Sequence, residues 1–172
     1  GLHAGEERPE QTKEPKEKIH CEGGLVVIYG VIKTLAEGVA ENVALKAWCQ
    51  EHYGKDPSVF IGIDQKRPPS PSDVPFVAFS SSESTEKGLL SQGALLFDVI
   101  WGVANEEKTV TGNLVEYDGA RECDEMGSLV AAALERVEPS FTVASGTYDI
   151  DLSTPWFPLW CGVLTLNANL RR

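Results

Sequence analysis

Long apolar runs are missing from this chain of 172 residues. The longest uncharged stretch, Leu152 to Leu170, is interrupted by Pro155, Pro158 and Gly162, whereas a bilayer-spanning helix needs about 20 continuous apolar residues. No membrane partner is therefore expected. Basic clusters are missing as well: 15 Lys and Arg stand against 26 Asp and Glu, a net charge of -11, and a surface of that sign repels a phosphate backbone. Independent nucleic-acid binding is not expected. The four cysteines, Cys21, Cys49, Cys123 and Cys161, form no C-x-x-C pair, and no signal-peptide pattern accompanies them, so reduced thiols in a cytoplasmic setting are the expectation. Phosphate-cradling glycine loops are absent; the nearest pair, Gly23-Gly24, lacks the lysine such a loop requires. No cofactor is expected.

Hydrophobic residues make up 42% of the chain, and a chain of this length buries about 70% of its unfolded surface on folding, so neither a metal nor a disulfide is needed to hold it. Residues 1–24 mix charges of both signs with Pro9, Pro15 and four glycines and hold almost nothing apolar. They are expected to form a flexible charged tail before one domain spanning 25–172. Between Val26 and Tyr53 the residues Ile28, Val31, Ile32, Leu35, Val39, Val43, Ala47 and Trp48 recur at helical spacing, with a kink or break expected near Gly38. Val59 to Ile63 reads as a short strand, the proline-rich run from Gln65 to Asp73 as an extended connection, and Pro75 to Phe79 as a second strand.

Ser80 to Gly93 is polar and reads as a loop, whereas Ala94 to Ala104 is apolar on both alternations and reads as a central strand. Thr109 to Leu114 fits either a hairpin partner or a lead into a helix. Ala120 to Val137 places Met126, Leu129, Val130, Ala133, Leu134 and Val137 on one helical face, and Pro139 stops it. Alternation returns in FTVASGTYDIDL, an edge strand, and in LWCGVLTLNANL, a last strand, with a rigid aromatic corner TPWFP between them. The expected fold class is α+β, a mostly antiparallel sheet of about four or five strands with two main helices packed on one face. The apolar strands exceed what one covered sheet face requires, which points to burial against another subunit.

Candidate chemistry is sparse. No G-x-S-x-G elbow occurs, and the histidines are His3, His20 and His52, so a small hydrolase or transferase would have to work through His52. Cys49 and His52 stand three apart as half of a metal site with no second pair to complete it. Asp149 and Asp151 alternate onto one face of a strand, the usual pattern of its solvated side, and Asp98 interrupts an apolar strand where burial would demand a partner.

The segments ALKAWCQEHYGKDPSVFIGID, QKRPPSPSDVPFVAF, FDVIWGVA, ECDEMGSLVAAALERV and PWFPLWCGVLTLNANL, in that order, resemble the tail terminator, or tail completion, proteins of phages and prophages. That resemblance implies a structural protein without catalytic residues. It would form a homo-oligomeric ring, typically a hexamer, on the last layer of the tail tube. Its partners would be copies of itself, the tail tube protein and a head-completion or connector protein, in the virion and in the bacterial cytoplasm during assembly. A neighbouring neck protein of the same particle shares this size and assembly physics. The subunit and partner contacts expected on this view lie at Ser82, Glu83, Lys87, Leu89 and Leu90 in the polar loop, at Glu106 and Lys108, and at Trp156, Phe157 and Trp160 in the aromatic corner.

Overall fold

The helical periodicity from Val26 to Tyr53 resolves into two helices, α1 (Ile28–Ala40) and α2 (Val43–Tyr53). The computed structural model describes residues 28–81, 94–137 and 141–170; the expected tail and most of the polar loop lie outside them. The break falls at Glu41 and Asn42 rather than at Gly38. Asn42 adopts an extended backbone and its Oδ1 accepts the Leu45 N–H at 2.9 Å, which satisfies one of the unpaired amides that open any helix. Gly38 stays inside α1, where the space its missing β-carbon leaves is filled by the Val137 side chain. At the other end of α2, Gly54 takes φ 67 and its N–H bonds to the Gln50 carbonyl, a stop that only glycine makes without strain.

Among the described residues seven strands and a third helix follow: β1 (Ser58–Ile61), β2 (Phe76–Ser81), β3 (Ala94–Ala104), β4 (Lys108–Thr111), β5 (Leu114–Tyr117), α3 (Asp118–Glu135), β6 (Phe141–Ile150) and β7 (Leu159–Leu170). Five strands form one sheet in the order β1-β2-β3-β7-β6, and β4 and β5 pair separately. Every pairing is antiparallel except that of β1 with β2. The fold is α+β as expected, and among the described residues three helices lie against the sheet, the first of the two main helices being broken into α1 and α2. Ala94 to Ala104 is the central strand, and β6 is an edge.

Strand alternation divides the sheet into two faces. Val77 and Phe79 of β2, Phe97, Val99, Trp101 and Val103 of β3, and Trp160, Leu164 and Leu166 of β7 meet Leu35 and Val39 of α1, Leu45 and Cys49 of α2, and Met126, Val130 and Leu134 of α3 in one buried core. Each such side chain contributes roughly 1.5–3 kcal/mol by leaving water. Trp101 is the largest of those shielded completely from solvent. Its Nε1 donates to the Cys123 carbonyl at 2.8 Å, which keeps the one polar atom of the indole satisfied where water does not reach.

The opposite face is covered on one side only. Because β1 and β2 run parallel, the chain must cross over between them, and it does so with the proline-rich segment 62–75 instead of a helix. Asp64 and Ser70 organise turns within it, Ser70 and Asp73 through reciprocal side-chain-to-backbone bonds. Ile63 and Val74 from this crossover pack with Phe60, Phe76, Ala78 and Leu159 in a second, smaller core. Beyond that cover, towards β7 and β6, the described residues leave the face open as a groove.

Candidate functional site

The β4–β5 hairpin stands off the main sheet. Gly112, at φ 61, makes its turn, and the register pairs Lys108 with Tyr117 and Val110 with Val115. Opposed residues share a face, so Lys108, Val110, Val115 and Tyr117 lie together on one side of the ribbon, with Thr109, Thr111, Leu114 and Glu116 on the other. All eight strand residues are exposed. A two-stranded ribbon is marginal by itself in water, and here its base is tied to α3, the Asp118 N–H donating to the Glu107 carbonyl and the Thr109 hydroxyl to Asp118 Oδ1 at 2.9 Å.

Tyr117 links the ribbon to the aromatic corner. Its ring centroid lies 6.2 Å from that of Phe157, edge to face, and 5.7 Å from that of Trp160. Exposed apolar side chains lie on the ribbon face that carries Tyr117 and in the corner that Tyr117 touches: Val110 is 60% exposed, Val115 49%, Phe157 50% and its chain neighbour Trp156 65%. Exposed apolar groups gathered in one place mark an interaction surface, whereas singly scattered ones do not. Trp156 and Phe157 are thus exposed in the corner, and Glu106 and Lys108 are exposed at the foot of the ribbon.

Trp160 departs from expectation. It is 4% exposed and belongs to the core under the helices, with Nε1 donating to the Asn105 carbonyl at 3.2 Å. The physical reason is alternation: Trp160 is the second residue of β7, opposite Val103 on the helix-facing side. Ser82, Glu83, Lys87, Leu89 and Leu90 lie outside the described residues. Val110 falls in the segment from Asn105 to Asn113 where partner contacts were expected, whereas Leu114, Val115 and Tyr117 are exposed apolar residues that sequence reasoning missed, although the Gly112-Asn113 turn was a usable hairpin signal.

The second surface is a groove of about 340 Å³ on the open sheet face, lined by Ser80, Asp98, Ile100, Asp149, Asp151, Cys161, Gly162 and Val163. The register explains the grouping. One row across the sheet runs Ala78, Ile100, Val163, Asp149, and the next runs Ser80, Asp98, Thr165, Thr147. Ile100, Val163 and Cys161 form the floor, and Asp149 and Asp151 stand at the β6 rim. Asp98 has the partner its position demands, accepting the Thr165 hydroxyl at 2.8 Å. Burial, with Asp151 nearby, pushes the Cys161 thiol up to about 11, so it stays neutral at physiological pH.

His52 sits where α2 meets α3. Its ring stacks on Trp48 at 4.2 Å between centroids, its Nδ1 is 2.9 Å from the Trp48 carbonyl, and its Nε2 is 4.0 Å from Glu125 Oε2. Trp48 Nε1 donates to the same carboxylate oxygen at 3.3 Å, so this cluster joins two helices. Cys49, three residues away, is buried, and burial followed by the charge of Asp56 pushes its thiol up to about 12; a thiol held protonated is a poor nucleophile and a poor metal ligand. Among the described residues no three His, Cys, Asp or Glu side chains gather as a metal-binding set. Comparison with protein-family models and with curated proteins finds no match.

Proposed function

We propose that this chain is a structural assembly subunit that associates with copies of itself at the end of a phage or prophage tail tube, halts its growth and offers a surface for head joining. The observation that carries the reading is the exposed apolar group on the hairpin and corner: Val110, Val115, Tyr117, Trp156 and Phe157. Such a surface costs solubility unless a partner covers it. Aromatic residues at the centre of a patch with charged residues at its edge, here Glu106 and Lys108, are the composition of a protein interface. The resemblance in segment order to tail terminators supplies the particular partner.

The test is direct. Purified chain is added to growing tail tubes, and tube length and end density are followed by electron microscopy. Uniformly arrested tubes bearing a ring at one end are expected, and the Trp156→Ala/Phe157→Ala variant should leave tubes elongating. Unarrested tubes without end density in the presence of folded wild-type chain would overturn the reading.

A further inference from the structure

We infer that the β4–β5 ribbon of one copy docks by its Val110/Val115 face into the sheet groove floored by Ile100, Val163 and Cys161 of a second copy, with Lys108 reaching that copy's Asp149 and Asp151. The inference deepens the assembly function proposed above by naming the two surfaces that meet. Three observations carry it.

The first is complementarity of charge. On the ribbon face Lys108 is the sole charged strand residue, Glu116 pointing to the other side. All the charged residues lining the groove are acidic, namely Asp98, Asp149 and Asp151. Among the described residues the two surfaces therefore hold opposite charges, and no ion pair of their own joins Lys108 or Asp149 to another group.

The second is spacing. Val110 and Val115 are a directly opposed cross-strand pair, and so are Ile100 and Val163. Opposed pairs share one separation, about 4.5–5.5 Å between β-carbons, so the two apolar pairs match in width. Lys108 lies two residues from Val110 along β4, roughly 6.8 Å of strand. With Val110 seated over Val163, Lys108 falls over Cys161, two residues along β7, and Asp151, whose N–H donates to the Cys161 carbonyl, lies one strand across, a step of about 4.8 Å that a lysine side chain spans; Asp149, opposite Val163, is the next carboxylate along that rim.

The third is position. The ribbon is fastened to the first turn of α3, which packs on the helix-covered face, while the groove opens on the other face. A contact between two different patches is head-to-tail, and repeated it closes into a ring or continues as a filament.

Introducing a thiol into the ribbon tests this, because Cys161 already lies in the groove. The full-length Val110→Cys variant is oxidised mildly, alone at high concentration and on tail tubes, and its disulfides are mapped by mass spectrometry. An intermolecular bond between position 110 and Cys161 is expected, lost in Val110→Cys/Cys161→Ser. Adding Lys108→Glu should lower its yield at least 10-fold, and adding Asp149→Lys/Asp151→Lys to that protein should restore it. Cross-links mapping elsewhere or failing to form in both conditions, or a yield indifferent to charge reversal, would overturn the inference. Capped tubes without the 110–161 bond would sink the docking geometry alone, and the bond without capped tubes would sink the tail function alone.

Discussion

The indole of Trp101 occupies the space that a β-carbon on Gly127 would fill, and on its other side it fills the same space at Gly162. Two glycines, one on α3 and one on β7, thus bring helix and sheet close enough to clasp the largest fully buried side chain. The clasp sets how near α3 lies to β3 and β7.

Gly127→Ala should destabilise the fold by about 1–3 kcal/mol, since the added methyl must displace the ring or the helix. The helix preference of alanine offsets at most about 1 kcal/mol of this. The urea midpoint measures it, and an unchanged or raised midpoint would mean that the core yields more readily than the packing implies.

Trp156 and Trp160 are four residues apart and should behave oppositely. Trp160→Ala should cost about 3–5 kcal/mol, the usual loss for a buried aromatic. Trp156→Ala should change stability by no more than about 0.5 kcal/mol while weakening assembly on tubes. Denaturation curves and tube-length measurements on both variants separate the two roles.

Asn42→Ala removes the side chain that separates α1 from α2. The loss should be about 1 kcal/mol, with Asn42→Asp retaining most of the stability because an aspartate accepts the same Leu45 N–H. Thermal unfolding of the pair of variants checks it.

Alkaline pH should weaken the protein. Burial, first among the causes, pushes the Cys49 and Cys123 thiols up to about 12 from an ordinary value of 9.0. It likewise raises the hydroxyls of Tyr53 beside Glu122 and Tyr148 beside Asp124. Between pH 9 and 12 the unfolded chain gives up protons that the folded chain keeps, so this stability is whole below pH 9 and declines as pH rises. Urea midpoints at pH 8, 9.5 and 10.5 should fall in that order, less steeply in Cys123→Ala.

Elements whose signal is local were legible in the sequence. The strand Ala94 to Ala104 has the expected limits, and α3 is displaced by two residues at each end from the expected Ala120 to Val137. The break between α1 and α2 was expected near Gly38 because glycine disfavours helix. A cap bond from Asn42 decides it instead, and Gly38 serves close packing against Val137. The aromatic corner was read as a unit, although alternation within β7 already separates Trp160 from Trp156 and Phe157. The groove was illegible for another reason: Asp98 and Asp149 come together only because β7 lies between β3 and β6, and strand order is a long-range property that no window of sequence contains.

That strand order also bears on how the molecule is made. β7, the last strand, is inserted between β3 and β6, and its partner across the widest pairing, β3, precedes it by more than fifty residues. During synthesis on a ribosome the edge of β3 must therefore wait unpaired until β7 emerges, and pairings of such sequence separation close slowly. Co-translational protection of β3, by a chaperone or by the earlier helices α1 and α2, is what this topology demands of the cell that produces it.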